Sequence, residues 1–125
     1  INVSSTVTLR PLPLLSVYTA SKAAVNAFTE SLATEVEQFG VRVRLVLPGR
    51  APETRFGENA RSRMQASFPE PYVPLAERVF AGWQTSSAVT RSVDVTEAVW
   101  RAATDPSCPI RQAAGADAEE LAKSA

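Results

Sequence analysis

Residues 17–49 read VYTASKAAVNAFTESLATEVEQFGVRVRLVLPG, and this stretch decides the fold. Across residues 17–39 small and apolar positions return at three- and four-residue steps: Ala20, Ala24, Ala27, Phe28, Ser31, Leu32 and Val36. No Gly or Pro interrupts them, so the spacing predicts a helix with one apolar face. Gly40 follows as the stop signal. Residues 41–47, VRVRLVL, are rich in β-formers and run into Pro48-Gly49, which predicts a strand feeding a turn. Upstream, Ile1-Asn2-Val3 reads as the end of a buried strand entering Ser4-Ser5, then a loop with Pro11 and Pro13. Strand, helix, Gly and strand make one βαβ crossover, which implies parallel strands and a right-handed connection.

Downstream, residues 50–92 lack clear periodicity and hold Pro52, Pro69, Pro71 and Pro74. They are expected to form a long irregular insertion with short helices near 60–67 and 75–83. An insertion of that length in an α/β unit is more often functional than idle. Residues 94–103 predict a helix, with Asp94 near its N-terminus and Val95, Ala98, Val99 and Ala102 as its apolar face. Pro106 and Pro109 close it, and a short strand at 110–113 and a small helix from Ala116 complete one α/β unit spanning 1–125.

Composition narrows the function. Thirteen basic and thirteen acidic residues give zero formal charge, so no nucleic-acid or anionic-membrane partner is expected. Cys108 is the lone cysteine, which rules out an internal disulfide and fits a reducing cytoplasm. No signal peptide and no apolar run of ~18 residues is visible, so no membrane span is expected. The chain has no His, the commonest acid–base side chain and metal ligand, so proton chemistry falls to Tyr, Lys, Asp, Glu or Cys and no metal site is expected. Among the cations, Lys22 and Lys123 stand against eleven Arg, which singles out the internal Lys22.

Ser5 precedes Tyr18 by thirteen positions, and Lys22 follows Tyr18 by four. On a helix, i and i+4 share a face, so the phenol and the ammonium can converge. A phenol ionises near pH 10, so proton transfer at neutral pH needs roughly three units, or ~4 kcal/mol, of stabilisation. One cation at ~4 Å supplies about that much at an effective dielectric of ~20, but only ~1 kcal/mol in water. The chemistry therefore requires partial burial.

Ile1-Asn2-Val3-Ser4-Ser5, then Tyr18-Thr19-Ala20-Ser21-Lys22-Ala23-Ala24-Val25, then the strand ending in Pro48-Gly49, occur in that order. The set closely resembles the short-chain dehydrogenase/reductase family, strongly over residues 1–55 and more loosely beyond, where Asp94-Val95-Thr96-Glu97-Ala98-Val99 and Gly115-Ala116-Asp117-Ala118 are similar to its last helix and closing segment. The resemblance implies the C-terminal half of a Rossmann-like, doubly wound parallel sheet. It implies an NAD- or NADP-dependent oxidoreductase acting on a small-molecule carbonyl or alcohol. Tyr18 would exchange a proton with the substrate oxygen, and Lys22 would assist it and bind the nicotinamide ribose. Ser5 would polarise the substrate oxygen, since Ser4 is one residue out of register and points the other way if the strand persists. Pro48, Gly49 and Thr54 would border the cofactor, Thr54 one residue later than the family's spacing.

By the same resemblance, residues 55–90 would be the substrate loop, and the wider 50–92 insertion its setting. Phe56, Met64, Phe68, Tyr72, Phe80 and Trp83 would line an apolar pocket or pack as core or lid. The Ala-rich helix 18–39 would pair copies in a homo-oligomer. The family's Gly-rich phosphate turn does not occur, since Gly40, Gly49, Gly57, Gly82 and Gly115 are scattered. The N-terminal cofactor half is therefore expected to be missing from these residues. The alternative expectation is an inactive fragment or a non-catalytic assembly module of the same family.

Overall fold

In the computed structural model, which describes residues 1–61 and 68–125, strands β1 (Asn2–Val3) and β2 (Leu45–Pro48) lie parallel, Asn2 opposite Leu45 and Val3 opposite Val46. Helix α1 (Ser16–Val36) makes the crossover between them. Strand β3 (Arg111–Ala114) pairs parallel on the other side of β2, giving the order β1-β2-β3. The central strand is buried on both faces, with Leu45 and Val46 at 0% and Leu47 at 2% exposure, as a continuous apolar run in a parallel sheet requires.

Strand β2 starts later than residue 41. Its neighbours supply partners only from Arg44 onward: Asn2 N–H donates to Arg44 O, and Leu45 N–H to Ile110 O. The stop at Gly40 is as expected. A 3-10 turn (Glu37–Phe39) follows α1, and Gly40 closes it at φ 70°, a left-handed conformation that glycine adopts without strain.

Helix α1 turns a different face to the sheet from the one the apolar spacing predicts. Ala20, Ala24, Ala27, Phe28 and Ser31 are exposed, and Asn26 and Thr29 are buried instead. Lys22, Val25, Leu32 and Val36 flank them half-buried. Hydrogen bonding decides the orientation: Thr29 Oγ1 donates to Val25 O at 2.6 Å and accepts from Asn2 Nδ2 at 2.9 Å. Arg111 of β3 forms an ion pair with Glu30, which holds the Glu30 carboxyl below the usual carboxylate range chiefly through that hydrogen bond.

The other face of the sheet belongs to a helix over Ser92–Thr104, where Ala98 and Ala102 close on Val46 and Ala114 with Val95 and Val99 packed against them. Asp94 caps it by accepting from Arg91 N–H at 2.8 Å.

The insertion is more regular than its prolines suggest. It contains α2 (Phe56–Arg61), a 3-10 turn (Glu70–Tyr72) and α3 (Val73–Thr85); the helix over Ser92–Thr104 is therefore α4. Pro71 and Pro74 sit in first turns, where a missing N–H costs nothing. Most of the helix expected at 60–67, and Met64, lie outside the described residues. Helix α5 (Ala116–Ser124) ends the chain. Among the described residues no strand covers the outer edge of β1, where Val3 is 45% exposed. No described helix is long and apolar enough to cross a membrane.

Candidate active site

The carboxyl end of β1 delivers the two serines into different roles. Ser4 is buried, and its Oγ donates to Lys22 O at 3.2 Å, tying α1 to the strand end. Ser5 opens a 3-10 turn (Thr6–Thr8), with its Oγ accepting from Val7 N–H at 3.3 Å. Helix α1 packs against this turn, which brings Ser5 to the end of the helix that carries Tyr18. Lys22 Nζ donates to Val3 O at 3.3 Å and stands 5.9 Å from the centroid of the Tyr18 ring, within cation–π range. Both side chains are half-buried. Among the described residues, the Tyr18 hydroxyl makes no hydrogen bond, so it is available to a ligand.

The insertion reaches this site at one point. Phe56, the first residue of α2, sets its ring 6.1 Å from that of Tyr18. Phe80 and Trp83 pack edge to face with each other at 5.4 Å on α3. Phe68 and Trp83 are half-buried, while Tyr72 and Phe80 are exposed.

Pro48 and Gly49 leave β2 at the same carboxyl edge of the sheet as Ser5 leaves β1, because the strands are parallel. Open α/β sheets bind ligands at that edge. Thr54 uses its hydroxyl locally: Oγ1 donates to Ala51 O at 2.8 Å and accepts from Phe56 N–H at 3.3 Å. Its side chain also borders a shallow groove of about 420 Å³ with Ser92, Val95, Thr96 and Val99 of α4. Among the described residues no group of three or more His, Cys, Asp or Glu could hold a metal ion.

The sequence profile of the short chain dehydrogenase family matches residues 1–65, more than half of the chain and all of the strand–helix–strand unit that carries these groups. The chain belongs to the short-chain dehydrogenase family. It is 38% identical over 69 residues to an uncharacterized oxidoreductase of Bacillus subtilis, a match covering 55% of this chain and 28% of that protein. An uncharacterized oxidoreductase of Thermotoga maritima is 41% identical over 71 residues, covering 57% of this chain and 26% of the relative. The very-long-chain 3-oxoacyl-CoA reductase of Bos taurus is 36% identical over 76 residues, 61% of this chain and 24% of that enzyme. A crystal structure of a short-chain dehydrogenase from Streptomyces avermitilis superposes with a TM-score of 0.71 at 28% identity, covering 98% of this chain and 43% of that one. The matched part thus spans about a quarter of these relatives' length, and under half of the solved structure.

In this member of the family two polar residues missed in the sequence converge on the Pro48-Gly49 turn. Thr90 is fully buried and accepts from Gly49 N–H, and Asp117 accepts from Arg50 N–H. Thr90 lies in a stretch without periodicity, and Asp117 reads as an ordinary acidic residue in a first helical turn. Forty-one and sixty-seven residues separate them from their partners, so no local signal joins them.

Proposed function

We propose that this chain carries the acid–base half of an NAD- or NADP-dependent oxidoreductase that interconverts a carbonyl and an alcohol. The observation that supports it best is the pairing of Tyr18 and Lys22 on one face of α1, at the sheet end where Ser5 also emerges. In reduction, the Tyr18 hydroxyl donates its proton to the substrate oxygen; in oxidation, it takes one back. Lys22, anchored by Val3 O, places positive charge beside the Tyr18 ring. Ser5 accepts from Val7 N–H through its Oγ, so its own hydrogen can be directed at the substrate oxygen. Phe56 sets an apolar ring beside that of Tyr18.

The donor set fits a nicotinamide cofactor in part. Lys22 Nζ carries three donors and gives one to Val3 O, leaving others for ribose hydroxyls. The cofactor supplies or receives the hydride. These residues contain no Gly-rich phosphate turn, so under this reading the remainder of the cofactor would be held by polypeptide outside them. The edge of β1, which no described strand covers, is where such polypeptide would join the sheet.

The test is carbonyl reduction followed by NADPH or NADH oxidation, with the cofactor-binding segment supplied. Tyr18→Phe is expected to lower turnover ~10²–10⁴-fold. Equal rates for parent and variant would remove Tyr18 from the mechanism.

One observation favours a second reading, a non-catalytic assembly module. The outer face of α1 exposes Ala20, Ala24, Ala27 and Phe28, a small-residue strip suited to close packing against a second copy of the chain. The two readings are compatible in one protein, and retained activity in a variant that no longer self-associates separates them.

A further inference from the structure

We infer that Thr90 and Asp117 are positioning residues that clamp the Pro48-Gly49-Arg50 turn and so fix the ledge it presents to the nicotinamide end of the cofactor. The inference rests on the functional reading above and adds two residues that never touch the reacting atoms.

Beyond Pro48 the chain leaves the sheet: Gly49 N–H still reaches Ala114 O of β3, but at 3.4 Å, so the turn needs closer acceptors. Two distant residues meet that need. Gly49 N–H donates to Thr90 Oγ1 at 3.0 Å, and Arg50 N–H donates to Asp117 Oδ2 at 2.7 Å. Thr90 N–H donates in return to Arg50 O at 2.8 Å. The turn is thus held from both sides by chain that arrives just before α4 and just after β3.

The clamp is itself oriented. Thr90 has a single hydroxyl hydrogen and two acceptors in reach, Asp117 Oδ1 at 2.6 Å and Ala114 O at 2.8 Å. Either choice leaves a lone pair aimed at Gly49 N–H. A carboxylate is the stronger acceptor, and Asp117 sits in the first turn of α5, where the helix dipole favours its charge.

No spare room remains around it. A Cβ on Gly49 would fall 2.3 Å from both Asp117 carboxylate oxygens. A Cβ on Gly115 would fall 2.1 Å from Thr90 Oγ1, and Gly115 holds φ at +105°. Both glycines are therefore required so that two side chains can press directly on backbone, an arrangement apolar packing alone would not need. Hydrogen bonds are directional, so this contact sets the height of the turn, and a ~1 Å misplacement of a ligand-facing group can lower a rate ~10²-fold.

The test compares Asp117→Ala, Asp117→Asn, Thr90→Val and Thr90→Ser in the full chain with the cofactor-binding segment supplied. It reads three quantities: amide hydrogen exchange at Gly49 and Arg50 without ligand, NADH or NADPH affinity by fluorescence titration, and KM against kcat. Asp117→Ala should speed exchange at Gly49 and Arg50 at least ~10-fold while Val46 in β2 stays protected. It should weaken cofactor binding about tenfold and leave KM for the carbonyl within about twofold. Asn can present its carbonyl to Arg50 N–H, and Ser retains the hydroxyl, so both should restore parent behaviour. If Asp117→Ala does not fold, the near-isosteric Thr90→Val carries the same expectation for Gly49. Parent-like exchange and affinity in the Ala and Val variants would overturn the inference. A parent that binds neither nucleotide overturns the functional reading, and the cofactor role of the turn with it. A parent that binds, beside an unaffected Asp117→Ala, overturns the positioning role alone.

Discussion

Helices α1 and α4 cover opposite faces of one three-stranded sheet by opposite chemistry. Helix α4 buries Ala98 and Ala102 against Val46 and Ala114, with Val95 and Val99 beside them, as its apolar spacing predicts. Helix α1 buries Asn26 and Thr29 and leaves Ala24, Ala27 and Phe28 outside. Apolar contact is non-directional and tolerates sliding, whereas hydrogen bonds fix a register. Helix α1 is held to β1 by three of them, from Asn2 to Thr29, Ser4 to Lys22 and Lys22 to Val3. Those bonds set where Tyr18 stands relative to the end of β1, a precision that α4, which carries none of the candidate acid–base groups, does not need.

The contrast breaks most visibly at Ala98. Ala98→Asp puts an unpaired carboxylate into the cluster with Val46 and should cost about 4 kcal/mol or more, read as loss of the folded fraction in urea. Ala27→Asp, on the exposed face of α1, should change the stability of a single chain by no more than about 0.5 kcal/mol. Equal losses would mean that both helices use the same kind of face.

Thr29→Val tests the polar attachment. It removes the acceptor of Asn2 Nδ2 and should cost about 1–2 kcal/mol. An unchanged urea midpoint would show that packing, not this hydrogen bond, holds α1.

Phe28→Lys addresses the outer strip. Sedimentation velocity should show a shift toward the monomer with an unchanged circular dichroism spectrum. The same sedimentation coefficient in parent and variant would exclude this strip as an interface.

The smallest effect belongs to Glu30. Arg111 holds the Glu30 carboxyl below its ordinary value, so the ion pair stabilises fully above the usual carboxylate range and is lost as pH falls through the lowered value. The pair is partly exposed, so Glu30→Gln should cost about 0.5 kcal/mol at neutral pH and less in acid. A difference that grows as pH falls would contradict this sign.

Much was legible in the one-dimensional pattern. Periodicity, Gly40 and the Pro48-Gly49 turn located α1 and β2, and the 94–103 pattern located α4 with its buried face. Membership of the short-chain dehydrogenase family followed from motif order, and that order, rather than the i and i+4 spacing by itself, singled out Tyr18 and Lys22 as candidates. These are local signals, carried by residues close in sequence.

Tertiary structure decided what depends on distant partners. The start of β2 was set by where β1 and β3 supply hydrogen-bond partners, not by the β-propensity of residues 41–44. The face of α1 was set by Asn2, twenty-seven residues from Thr29. Thr90 and Asp117 meet the Gly49 turn only once β3 has paired with β2. Sequence by itself determined where the helices form, because their bonds are local; the extent of the strands and which groups the elements bring together were decided in three dimensions, because bonds between distant residues exist only after the sheet has closed.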